Sequence, residues 1–200
     1  MVTLSVKADF GDVKKKLNAL SSDIQKRVVP AALNKVIAKA NTEMARQISS
    51  EFNIKQQDVR ARLRITRAKR NYERWFARLD PFASSRTGRS LNLVRFLERS
   101  VTLAERGRRI KNNSLQDLRF KIKRVGGPKI IKGAFIGNNG RTVFIREGKT
   151  RLPIKALSTI DVPQMFNTRR IQGVVLDRVK RDMVIEFDRA IKSALRGYIR

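Results

Sequence analysis

Apolar residues recur along this chain with two periods, and the places where the period changes mark its elements. Thr3 to Phe10 alternates, with Leu4, Val6 and Ala8 on one side and Thr3, Ser5, Lys7 and Asp9 on the other, which predicts a short strand ended by Gly11. From Asp12 the period lengthens. Val13, Leu17, Leu20, Ile24 and Val28 fall on one stripe of a helix with lysines opposite. A second stripe follows at Leu33, Val36, Ile37, Ala40, Met44, Ile48 and Phe52. Pro30 lies between the two and suits the first turn of a helix, where its missing N–H costs nothing, so the pattern predicts two consecutive helices or one kinked at Pro30. Asn53, with Gln56 three residues on, has the spacing of a capping box and predicts a third helix, its small apolar face made by Val59 and Leu63.

Arg64 to Leu79 has no helical stripe. Tyr72, Arg74, Phe76 and Arg78 alternate with Trp75, Ala77 and Leu79, which predicts a strand; Trp75 and Phe76 are core residues or, if exposed, surfaces for base stacking. Pro81 to Ser90 is rich in turn formers and reads as a loop. Leu91 to Leu103 fits a short helix or an irregular strand, and Arg106 to Ser114 is polar, basic and without period. Leu118, Phe120 and Ile122 alternate with Arg119, Lys121 and Lys123, a strand with one cationic face that leads into the turn Gly126-Gly127-Pro128.

Between Lys132 and Phe166 two apolar runs, Ala134 to Ile136 and Val143 to Ile145, flank Asn138, Asn139 and Gly140. These turn residues tolerate positive φ, so a β-hairpin is expected over 133–147. Pro153 and Pro163 then set the direction of a connector of little regular structure, and Val174, Val175, Val179, Met183, Ile185, Phe187, Ile191 and Leu195 form the stripe of a long C-terminal helix. Helices and hairpins without βαβ units give an α+β class: N-terminal helices and a long C-terminal helix packed on a mainly antiparallel sheet. One domain over 1–200 is expected, with a basic loop or arm around 80–115.

Charge changes this picture most. The 200 residues hold 46 Lys and Arg against 17 Asp and Glu, a formal charge of +29, far beyond the magnitude of about 2 to 8 that suffices for solubility. Such an excess calls for a polyanionic partner or acidic neighbours. Basic residues cluster in four places, 60–74, 86–99, 106–111 and 121–132, and arginine, suited to bidentate contact with phosphate or carboxylate, dominates the first three. Cysteine and histidine are absent, which removes thiolate nucleophiles, disulfides, the usual zinc ligands and the commonest general base. The acids are scattered with no D-x-D or E-x-K arrangement on a strand, and Gly126-Gly127-Pro128-Lys129 lacks the spacing of a phosphate loop. No enzyme and no cofactor are expected. No run of about 18 apolar residues and no leader-like N-terminus are present, so neither a membrane span nor a secretion signal is expected.

Three stretches carry a resemblance. Val29-Pro30-Ala31-Ala32-Leu33-Asn34-Lys35-Val36 is followed by a basic stretch from Lys55 to Arg70; then come Gly133-Ala134-Phe135-Ile136, and Leu152-Pro153-Ile154-Lys155-Ala156-Leu157 with Val162-Pro163-Gln164-Met165-Phe166. In this order they resemble the minor tail protein Z family of lambda-like phages and prophages; residues 80–113 match least. The resemblance implies a virion protein at the head-proximal end of the tail, assembled in the host cytoplasm, that completes the tail and helps head-tail joining and DNA positioning. It implies a homo-oligomeric ring, a hexamer, contacting the tail terminator, the tail tube, the head-tail connector and genomic DNA in the channel. No motif in it is catalytic.

On this reading Arg106, Arg108, Arg109, Lys111, Lys121, Lys123, Arg124, Lys129 and Lys132 face DNA or an acidic partner. Pro153, Ile154, Val162, Met165 and Phe166 are candidates for the subunit interface, with burial in the chain's own core as the alternative for Met165 and Phe166. The competing function is a non-sequence-specific nucleic-acid-binding protein.

Overall fold

Two helices of thirty residues dominate the computed structural model, which describes residues 18, 21–69, 75–82, 91–98 and 118–198. The expected strand at 3–10, the apolar positions Val13 to Leu20, Tyr72 and Arg74, most of the expected loop at 81–90, and the basic segment with Arg106, Arg108, Arg109 and Lys111 lie outside the described residues.

Helix α1 spans Ser22–Glu51, and the last helix, α4, spans Arg169–Tyr198. Each buries a ridge in steps of four: Ile24, Val28, Ala32, Val36, Ala40, Met44 and Ile48 on α1, and Ile171, Val175, Val179, Met183 and Phe187 on α4. Such ridges are the ones that interdigitate when helices pack, and here they share one core. The ion pairs Glu51 to Arg170 and Lys39 to Glu186 show that the helices run antiparallel. The helix does not restart at Pro30. Pro30 sits buried inside α1, where the surrounding core offsets the one backbone hydrogen bond its nitrogen cannot donate. On α4 the expected stripe is narrower than read, because Val174, Ile185 and Leu195 are exposed.

Helix α2, Gln56–Arg60, begins after Lys55 without a side-chain cap. Asn53 does not cap it, because the helix starts at Gln56 with Lys55 at the N-cap position, and the Asn53 backbone N–H that a capping box would give to Gln56 is held by the Ile122 carbonyl at 2.8 Å. Val59 and Leu63 are buried as read, but Leu63 already belongs to strand β1, Leu63–Thr66, which pairs antiparallel with β2, Arg78–Pro81, through Ile65 opposite Leu79. The strand expected over 64–79 is therefore two short ones. Trp75 packs half-buried against the main core and Phe76 is exposed.

The remaining strands form three more small antiparallel sheets in place of one continuous sheet. Strand β3, Leu91–Asn92, leads into a 3-10 turn over Leu93–Phe96; β4, Leu118–Phe120, pairs with β5, Lys129–Ile131. Strands β6, Phe135–Gly137, and β7, Thr142–Arg146, form the expected hairpin, with Ile136 opposite Val143 and Asn138, Asn139 and Gly140 all at positive φ. The connector is more regular than expected. Ile154–Ala156, β8, pairs with β7, and Ser158–Thr159, β9, pairs with β3. Its second proline segment is a short helix, α3, Val162–Phe166, closed by a capping box: the Gln164 N–H donates to the Asp161 carboxylate at 2.9 Å and the Asp161 N–H to the Gln164 side-chain oxygen at 3.3 Å. Beneath these sheets lies a second core of Leu93, Phe120 and Val143, flanked by Leu97, Leu118, Ile131 and Ile136.

Candidate polyanion interface

The two cores divide the charge of the chain as well as its apolar residues. In the helices and the β1–β2 pair beside them, Asp23, Glu43, Glu51, Asp58, Asp80, Asp177, Asp182 and Glu186 each form an ion pair. Asp182 and Glu186, one turn apart on α4, are nearly inaccessible, with side chains 6% and 2% exposed. Lys39 reaches across from α1, its Nζ 2.7 Å from Glu186 and 3.6 Å from Asp182; Arg189 binds the same Glu186 oxygen at 2.8 Å and Arg178 holds Asp182 at 3.0 Å. The hydrogen bond from Lys39 holds the Glu186 carboxyl below its usual range, against burial, which acts the other way. The bond to Asp182 raises the affinity of Arg178 for its proton. These acids hold helices together.

Near α2, Asp58 binds Arg95 at 2.8 Å, and the neighbouring Arg62 has its proton affinity lowered by burial and then by Arg95, against the pull of Asp161 and Asp58. This cluster joins α2, α3 and the 3-10 turn. Among the described residues no group of three or more metal-ligating side chains occurs.

The small sheets are the opposite case. Residues 118–160 carry eleven Lys and Arg and a single acid, Glu147. Among the described residues none of these eleven forms an ion pair, whereas each of the acids named above has one. Lys123, Lys129 and Lys132 are exposed on or beside the β4–β5 hairpin. Lys121 is half-buried, its backbone N–H donating to the Phe96 carbonyl at 2.8 Å. Arg124 is committed within the fold, since its Nε donates to the Ser49 carbonyl at 2.7 Å and its backbone N–H to the Glu51 carbonyl at 2.9 Å. It thereby supplies a cation to the C-terminal end of α1, whose own last turn has none.

The sequence pattern had not singled out Arg141, Arg146, Lys149, Arg151 and Lys155, exposed around β7 and β8. The signal was available, since no acid stands between Leu118 and Arg146. Arg146 lies over the Phe135 ring, 5.2 Å from its centre, and Phe135 stacks on Phe144 at 6.0 Å. Of the interface candidates, Pro153 and Ile154 are exposed, with Ile154 at the open edge of the β6-β7-β8 sheet. Val162, Met165 and Phe166 are wholly buried in the chain's own core, the alternative the sequence left open for the last two, and offer a neighbour no surface.

A family model described as prophage minor tail protein Z (GPZ) matches residues 12–200. The chain belongs to this family. Minor tail protein Z membership gives it a structural role in a phage tail, a place in the virion and other tail proteins as partners. No curated protein and no solved structure matches the chain. Among the described residues no helix is long and apolar enough to cross a membrane.

Proposed function

We propose that this minor tail protein Z completes the tail at its head-proximal end as a homo-oligomeric ring of six subunits, with the cations of the small sheets turned toward a polyanion. The observation that carries this reading is the division of charge: helical acids already paired, and eleven cations between 118 and 160 without an ion-pair partner among the described residues. Genomic DNA in the channel and acidic faces of the tail terminator, tail tube or head-tail connector are the polyanions on offer at that position. Arg106, Arg108, Arg109 and Lys111 extend the same cationic run along the sequence, and the exposed Pro153 and Ile154 are the remaining candidates for subunit contacts. The chain acts by binding and does no chemistry.

The test is complementation of a phage lacking this protein. A variant with Lys123→Ser, Lys129→Ser and Lys132→Ser should enter tails and yield particles that join heads or retain DNA poorly, counted as a fall in titre at normal tail number. A second variant neutralising Arg106, Arg108, Arg109 and Lys111 should behave alike. Normal titres from both would remove the polyanion role.

A further inference from the structure

We infer that the tip of the β4–β5 hairpin docks an acidic segment of another protein that carries one large apolar side chain. The inference rests on the cationic surface being partner-facing and names the partner class for one part of it. Phe120, Ile122, Val125, Gly126 and Gly127 line a depression of about 320 Å³, with Lys123 and Lys129 beside it. Phe120, at its floor, is 1% exposed, whereas Val125, at the turn, is 87% exposed. A turn between two strands needs no valine, and one this exposed adds almost nothing to the fold. Gly126, at φ +100°, and Gly127 have no atom within 4 Å of where a side chain would begin, so the backbone beside the depression is open to a ligand.

Charge and apolarity together select the occupant. Lys123 and Lys129 would attract phosphate and carboxylate alike. A duplex backbone, however, has no side chain to fill an apolar depression, and water would stay against Val125 and Ile122. An acidic protein segment meets both demands: its apolar residue covers the depression and its carboxylates reach the lysines at the rim, the usual division of a protein interface into apolar centre and polar edge. With no acid between Leu118 and Arg146, nothing in the hairpin competes for those lysines.

The full-length chain is titrated with three labelled probes at about 0.15 M salt, where long-range attraction is screened. They are a peptide of about twelve Asp and Glu residues with a central leucine, the same peptide with a central serine, and a duplex of about 20 base pairs, each followed by fluorescence anisotropy. The leucine peptide should bind about tenfold more tightly than the serine peptide, as burying much of one leucine implies. Val125→Ser should erase that difference and leave the duplex unaffected; Lys129→Ser should weaken both peptides. Equal binding of the two peptides, or a Val125→Ser variant that loses the duplex as much as the leucine peptide, overturns the docking site and leaves the cationic surface standing. Failure of all three probes to bind overturns both.

Discussion

Replacing Lys39 by methionine tests whether the acids of α4 are held by the cations between the helices. Lys39 donates at 2.7 Å to Glu186 and lies 3.6 Å from Asp182, and both carboxylates are buried. Stripping a buried charge of its partner costs about 3 to 5 kcal/mol. That figure is an upper bound here, because Arg189 stays on Glu186 and Arg178 on Asp182. What is lost is one charged hydrogen bond, about 1.5 to 3 kcal/mol, together with the shielding between two carboxylates a turn apart. The expected loss is about 2 to 3 kcal/mol, read as a lower urea midpoint with an unchanged slope.

The pH dependence gives a second reading. The folded-state pKa of Glu186 is depressed, first by the bond from Lys39, so the stability it confers is present above the unfolded value of about 4.3 and is lost as pH falls through the folded value. The gap between wild type and Lys39→Met should therefore close as the pH is lowered below about 4. A Lys39→Met, Glu186→Leu double variant should recover much of the loss at neutral pH, since no buried carboxylate is then short of a partner. A variant within about 0.5 kcal/mol of wild type at pH 7, or a gap that stays constant down to about pH 3, refutes the assignment.

Phe166→Asp should unfold the chain or come close to it, because Phe166 is wholly buried and truncating such a ring costs about 3 to 5 kcal/mol before a charge is added; a folded monomer by circular dichroism would refute its core role. Serine at Lys123, Lys129 and Lys132 together should flatten the dependence of log affinity for duplex DNA on log salt by up to about 2.7, and an unchanged slope would mean these lysines touch no phosphate. The isolated chain should be monomeric in low salt and associate when salt is raised or a polyanion is added, as seen by light scattering; a ring stable in low salt without a partner would count against charge repulsion between subunits.

Much of the fold was legible because its signals are local. The hairpin between Phe135 and Arg146 is announced by Asn138, Asn139 and Gly140, all of which adopt the positive φ that makes them turn residues. The long C-terminal helix follows from its stripe. Where expectation and structure part, tertiary contacts outvote a local signal or two local signals compete. Asn53 and Gln56 have capping-box spacing, yet the Asn53 backbone is taken up by Ile122 from a segment far along the chain. Asp161 and Gln164 have the same spacing and do form the box, although Pro153 and Pro163 near them favour an extended connector. Pro30 is accommodated inside a helix whose packing against α4 no window of sequence displays. For the candidate interface, the acid-free run from Leu118 to Arg146 could be read directly, whereas the commitment of Arg124 to the end of α1 depended on distances.

The placement of the acids also bears on why so basic a chain folds at all. Like charges about 10 Å apart in water repel by only about 0.4 kcal/mol and are screened beyond about 8 Å at physiological salt, so exposed cations around β7 and β8 cost each subunit little. A charge buried between the helices is far more costly unless it is paired. Between the helices the buried charges are the acids Asp182 and Glu186, on which the partly exposed Lys39, Arg178 and Arg189 converge, and the β sheets, resting on an apolar core of their own, bury no charge that needs such pairing. Apart from Arg124, which holds the end of α1, their exposed cations are therefore available to a partner without cost to the fold. Neutralising exposed lysines there should change what the protein binds, and neutralising Lys39 should change how stable its fold is.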